Sequence, residues 1–158
     1  MKLCEFVVNE AIVPQLVSTE RDDVIRELID ALIEKGSAPK ELRDELIELI
    51  IDREKHGSTG FGKGVAVPHV KHDKIEKMSA TIGISQVGVD FNALDKAPVY
   101  SIVLILSPKD SPDEHLQAME NIFSNLQKDT FRRFLRQATT TEEVVDLMQE
   151  ADTQQLQG

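Results

Sequence analysis

Residues 99–106 read VYSIVLIL, and this run constrains the fold more than any other stretch of the chain. A bilayer-spanning helix needs about 20 apolar residues, so the run is too short to cross a membrane. It carries no charge and is rich in β-branched side chains, which predicts a central strand buried on both faces. Such a strand must be covered, and the flanking pattern supplies the cover. From Thr19 the chain turns helical. Val24, Leu28 and Leu32 recur every fourth residue beside Ile25, Ile29 and Ile33, with Thr19 suited to the N-cap and Gly36 to the stop. Pro39 suits the first turn of a second helix, with Leu42, Leu46, Leu49 and Ile50 as its stripe and Gly57 as its end.

Four glycines between 57 and 64 then oppose regular structure. VAV before Pro68 and SATIGIS at 79–85 read as strands, and GVDF at 88–91 as a further strand or edge. After SPKDSP a helix returns, with Leu116, Met119, Ile122, Phe123 and Leu126 as its inner stripe and Asp113 and Glu114 at its positive N-terminal end. TFRRFLRQA and TTEEVVDLM predict two more helices, the second capped by Thr140 or Thr141. EFVV near the N-terminus is a short strand or a docking segment, and residues 153–158 read as a frayed tail. With no repeat or linker, residues 1–152 form one domain, a central sheet covered by helices.

Charge and cysteine content narrow the function. The 158 residues carry a formal net charge of −10, whereas binding a phosphate backbone requires Lys and Arg to displace counterions, so nucleic acid is excluded as a partner. With no Trp and one Tyr there is no aromatic platform for stacking bases or sugars. Cys4 has no partner for a disulfide, which points to a reducing compartment, and its apolar neighbours predict a buried thiol. The N-terminal residues lack the pattern of a signal peptide, so a cytoplasmic protein without membrane insertion is expected.

The chemistry concentrates in GSTGFGKGVAVPHVKHDKI, residues 57–75. Gly57, Gly62 and Lys63 fit G-x-x-x-x-G-K, but Gly64 stands where Ser or Thr should ligate magnesium. A phosphate loop of that kind also follows a strand and opens a helix, whereas this one follows a helix and leads into VAVP. His69 and His72, with His115 as a third imidazole, suggest a metal-dependent hydrolase as a remote alternative. No helix aligns the first pair and no Cys completes a thiolate set, so no metal and no cofactor are expected. His72 alone reads as an exposed loop residue.

A nucleophilic histidine fits better. A neutral imidazole carries one lone pair able to attack phosphorus, provided its other nitrogen is held as N–H. His69 follows a short strand and a proline, so its side chain emerges from a rigid support. Ser58 and Thr59 add hydroxyl donors nearby, and the glycine loop can bring backbone N–H groups to an anion. His115 lies in the first turn of the helix after the central strand, either as a satisfied core histidine or as a second site residue. Arg53, just before the glycines, is either a solvated surface charge or a counter-ion for phosphate.

REKHGSTGFGKGVAVPH resembles the active-site segment of the enzyme IIA components of the bacterial sugar phosphotransferase system, in the fructose–mannitol and nitrogen-regulatory class. Arg53, Ser58, Thr59, Gly64, Val65, Ala66, Val67, Pro68 and His69 match that pattern. LSPKDSPDEHLQAMENI resembles the family's second landmark, a histidine followed by Leu at the start of a helix, matched by His115 and Leu116. The resemblance covers roughly residues 5 to 150. It implies an α/β fold, a small mixed β-sheet flanked by helices. It further implies that His69 takes a phosphoryl group from an HPr-like phosphohistidine carrier and passes it to a IIB component, or signals to a regulatory target by its phosphorylation state. His115 would stabilise the phosphoryl group, Arg53 would add charge, and Ser58, Thr59 and Gly64 would form a phosphate-binding loop. Val70 stands where many members have Gly, a restriction at a point that must meet two partners. Lys63 and Lys71 could attract an acidic rim on a partner.

Overall fold

In the computed structural model, which describes residues 1–153, the chain runs α1 (Leu3–Phe6), α2 (Arg21–Glu34), α3 (Arg43–His56), β1 (Gly60–Gly62), β2 (Val65–Ala66), β3 (His69–His72), β4 (Ser79–Val89), β5 (Val99–Pro108), α4 (Pro112–Leu126), α5 (Asp129–Gln137) and α6 (Thr141–Asp152). The uncharged run at 99–106 is the spine of the mixed five-stranded sheet. β4 pairs with one edge of β5 antiparallel, and β2 and β3 pair with the other edge parallel. Val65 faces Ser101 and His69 faces Ile105, so β2 and β3 keep one register and form a single strand interrupted at Val67–Pro68. Proline has no N–H to give a ladder, but the Pro68 carbonyl still accepts from Ile105 N–H at 3.0 Å.

Side chains alternate across the sheet as the strand period of two requires. Ile102, Leu104 and Leu106 face α2 and α3, while Val103 and Ile105 face α1, α4, α5 and α6. The result is helix, sheet, helix, and the α/β expectation holds. The N-terminal segment docks along β4, with Val8, Val13 and Leu16 N–H groups donating to the carbonyls of Ala80, Ile82 and Ile84. It covers the strand edge that would otherwise stay open.

Several local expectations need correction. The glycines at 60–64 build a hairpin between β1 and β2 instead of an irregular loop, with Lys63 and Gly64 both at positive φ (61° and 79°) in its turn. The α2 N-cap is Glu20, without a side-chain bond, not Thr19. Leu49 and Leu116 point to solvent, because tertiary packing selects the stripes Leu46, Ile47, Ile50, Ile51 and His115, Ala118, Ile122, Leu126 instead. Cys4 is exposed, not buried. Partial shielding and the neighbouring Asp152 carboxylate push its thiol up to about 11, so it stays protonated. Thr140 does cap α6, accepting from Glu143 N–H. Thr153 closes that helix, and the rest of the expected frayed tail lies outside the described residues.

Leu104 is fully buried on the central strand. Leu104→Ala is expected to lower unfolding stability by about 2–5 kcal/mol, measured by urea denaturation; an unchanged midpoint would contradict the central place given to β5.

Candidate active site

The break at Pro68 sets up the site. Successive carbonyls of a strand point to opposite edges. Those of Gly64 and Pro68 accept from β5, so the Val67 carbonyl points to the outer edge. Pairing with β1 has ended at Ala66, leaving that carbonyl without a ladder partner. It takes the ring of His69 instead, at 2.9 Å from Nδ1. A carbonyl only accepts, so Nδ1 carries the hydrogen and Nε2 the lone pair. His69 is half-buried, at the start of β3.

His115 comes from the other landmark. Pro112 opens α4 just beyond the end of β5 and puts His115 in the first turn, buried, with its ring centroid 5.6 Å from that of His69. Its Nδ1 lies 2.6 Å from the hydroxyl of Ser107, which has no solvent exposure. If Nδ1 donated, the buried Ser107 hydroxyl hydrogen would have no acceptor. The hydroxyl therefore donates to Nδ1, and Nε2 of His115 carries the hydrogen. Burial first, then the Lys71 ammonium and the His69 ring, push His115 down from the ordinary 6.5 to about 4. The pair is thus one imidazole whose Nε2 is left free by the Val67 bond and one, His115, that is neutral at neutral pH with an available N–H.

The remaining candidates sit further out. Arg53, in the last turn of α3, donates from Nη1 to the Gly57 carbonyl at 2.6 Å and is not held against either histidine. The Ser58 hydroxyl donates to the Phe91 carbonyl at 2.7 Å and accepts from Gly60 N–H at 2.9 Å. Thr59 gives both its N–H and its hydroxyl to the buried carboxylate of Glu54. These two hydroxyls shape the loop and are already engaged. Gly64 lies in the hairpin turn, its carbonyl bonded to Tyr100 N–H at 2.8 Å, several residues up the strand from His69.

His72 is buried in β3, not exposed in a loop. It stands three residues from His69, an odd spacing that puts the two on opposite faces of the sheet. Its Nδ1 accepts from Lys74 N–H at 3.0 Å, and its Nε2 donates to Glu45 on α3 at 2.5 Å. The three-histidine metal arrangement therefore does not form, and among the described residues no cluster of His, Cys, Asp or Glu is arranged to hold a metal ion. Val70 likewise turns away from His69 into the α2–α3 core, so its bulk does not crowd the ring.

A family model described as "Phosphoenolpyruvate-dependent sugar phosphotransferase system, EIIA 2" matches residues 5–151. The chain belongs to this family. It is 28% identical over 152 residues to the fructose-specific EIIABC component of Bacillus subtilis, covering 96% of this chain but 24% of that longer protein. It is 28% identical to the nitrogen regulatory protein of Bradyrhizobium diazoefficiens over 94% of this chain and 95% of the relative. Its fold is similar to the crystal structure of the nitrogen regulatory protein IIA-Ntr from Neisseria meningitidis, with a TM-score of 0.83, 27% identity, and 91% and 97% of the two chains covered. The protein is an EIIA-type phosphocarrier, a component of a phosphotransferase system. No helix among its described residues is long and apolar enough to cross a membrane.

Two residues around the candidate site, Ser107 and Glu54, escape sequence reading, and a third, Lys71, enters it only as a charge toward a partner. Ser107 hides in an apolar strand, and its one signal is being polar where the run predicts a buried face. Glu54 looks like another charge on a polar helix. Lys71 shares the α4 face of β3 with His69, and its Cα pairs with that of Ser107.

The unfolded chain binds a proton at His115 near pH 6.5 and the folded chain only near 4. The stability contributed by the neutral ring is therefore complete above about 6.5 and is lost as pH falls toward 4. A histidine NMR titration should give a His115 midpoint near 4 that moves upward in Lys71→Gln, because a like charge is removed. A midpoint at the ordinary value would contradict the assigned environment.

Proposed function

We propose that this EIIA protein carries the phosphoryl group on Nε2 of His69, taking it from an HPr-like phosphohistidine and passing it to a IIB component. The observation that carries the reading is the hydrogen bond between His69 Nδ1 and the Val67 carbonyl, which leaves Nε2 as the free nucleophile. The Nε2 lone pair attacks phosphorus as the P–N bond to the donor breaks, and that bonding pair returns to the donor's imidazole. Positive charge grows on the His69 ring, where the Val67 carbonyl stabilises the Nδ1–H. His115 Nε2–H donates to a phosphoryl oxygen, fixed in that tautomer by Ser107. Lys71 on the same face offsets the oxygens' negative charge. Arg53 leaves the Gly57 carbonyl to join them when the phosphoryl group arrives. Ser58, Thr59 and Glu54 hold the loop that positions Arg53. Such transfer chiefly requires in-line positioning and charge neutralisation, and exchange between two imidazoles stays near energetic balance, so it runs in both directions. The reaction takes place in the cytoplasm.

The names of the relatives divide between fructose components and nitrogen regulatory proteins. A second reading follows from the likeness to IIA-Ntr. Here the phosphorylation state of His69 is itself the signal, read by a regulatory target in place of IIB.

Incubation with phosphoenolpyruvate, enzyme I and HPr should place one acid-labile, base-stable phosphate on His69. His69→Ala should abolish it, and persistence of phosphorylation would overturn the assignment. His115→Ala should keep the acceptor but slow transfer by about 10²-fold, the usual effect of losing one pre-organised donor; unaltered kinetics would remove its catalytic role.

A further inference from the structure

At the opposite end of β5 from the histidine pair lies a second concentration of positive charge. A cavity of about 600 Å³ opens between the β1–β2 turn, the start of β5 and α5, lined by Lys63, Tyr100, Arg132, Arg133 and Arg136 with Asp129. Four cations against one carboxylate is an unusual balance in a chain of net charge −10. Among the described residues Arg21, Arg26, Arg43 and Arg132 each pair with a carboxylate, and Arg53 holds a carbonyl. Arg133 and Arg136 do neither. The Arg133 guanidinium lies over the Phe134 ring at 5.3 Å, and that of Arg136 over the Tyr100 ring at 3.5 Å. Stacking fixes a guanidinium by its face and leaves its N–H edge available.

The frame around these cations is rigid. The Tyr100 ring packs so closely that a Cβ added at Gly64 or at Gly88 would come within 3.4 Å or 3.1 Å of it. Lys63 sits in the hairpin turn at φ 61°, its N–H held by Asp95 at 3.1 Å. Arg132 is tied to the Leu126 carbonyl at 2.7 Å and to Asp129. Holding like charges around a concavity raises their mutual repulsion, which an anion in the cavity would relieve. Two available guanidinium edges match the paired oxygens of a phosphate, and the volume falls in the range of small-molecule sites.

We propose that this cavity binds a phosphate-bearing small molecule, with Arg133 and Arg136 as its main contacts and Lys63 on the facing wall. It is separate from the phosphoryl site. Tyr100 and Ser107 are seven strand positions apart along β5, about 23 Å at the usual rise per residue. The proposal does not depend on phosphotransfer.

Inorganic pyrophosphate is the probe, titrated into the full unphosphorylated chain at low salt and followed by backbone amide NMR shifts. Saturable shifts are expected at Lys63, Gly64, Tyr100, Arg133 and Arg136. The double variant Arg133→Gln/Arg136→Gln should weaken binding by about tenfold or more. The same charge change elsewhere, Lys40→Gln/Lys77→Gln, should leave affinity essentially unaltered. No saturation up to about 10 mM, an affinity below 3 kcal/mol, would overturn the proposal. Equal weakening by both double variants, or shifts centred on His69, would do so too. Binding of a polyglutamate peptide without binding of pyrophosphate would also overturn it, and would make the cavity a docking surface for an acidic protein segment. The far-ultraviolet circular dichroism of each variant verifies that it is folded.

Discussion

The structure depends on one strand, β5, being paired along both edges and buried on both faces. A strand in that position cannot carry charge, and its backbone polar groups must all be met by neighbours. β4 satisfies most of one edge, from Val99 to Leu106 with a bulge between Ile84 and Val89, while the other is shared between β2 and β3 in a single register. Both histidines of the candidate site are attached to this arrangement. One histidine leaves the strand beside β5, and the other enters on the helix that follows it.

The interruption at Pro68 frees part of a structural strand for the candidate site. Pairing with β1 stops at Ala66, so the Val67 carbonyl faces outward with no strand to meet it. The imidazole of His69 fills that vacancy, and filling it selects the tautomer that leaves Nε2 nucleophilic. A parallel device acts on His115, where the buried Ser107 hydroxyl selects the opposite tautomer. In the proposed transfer one side chain is the acceptor for phosphorus and the other the donor to its oxygens, although both are histidines of the same intrinsic chemistry. Their difference comes from a carbonyl in one case and a hydroxyl in the other.

Much of this was legible in the chain, for identifiable reasons. The run at 99–106 announced a central strand because an uncharged β-branched stretch of that length has few other stable placements. The P-H pair at 68–69 and the histidine at the start of α4 pointed to a candidate site because their local settings are specific, and the structure brings the two rings together. The helix stripes were read correctly in kind but not in every member. Leu49 and Leu116 look as apolar as Leu46 and Ile122, and only the packing of each helix against its neighbours exposes the first two. The glycines at 60–64 oppose regular structure when taken by local propensity alone. They instead close a hairpin, because Lys63 and Gly64 adopt the positive φ its turn needs. His72 looks exposed from its loop-like sequence, yet a strand places it on the face opposite His69, where Glu45 receives its hydrogen.

The sequence by itself therefore determined the layered architecture and the family, and it singled out the two histidines as candidates. Hydrophobic period, glycine and proline placement and short motifs are local properties, and each acts without knowledge of distant residues. Only the tertiary structure decided that His69 and His115 stand with ring centroids 5.6 Å apart, that Ser107 orients the second ring, and that Arg133 and Arg136 share a cavity with Lys63. Those relations join residues far apart in the chain, or turn on which edge of a strand a carbonyl faces. They exist only once β5 has gathered its neighbours.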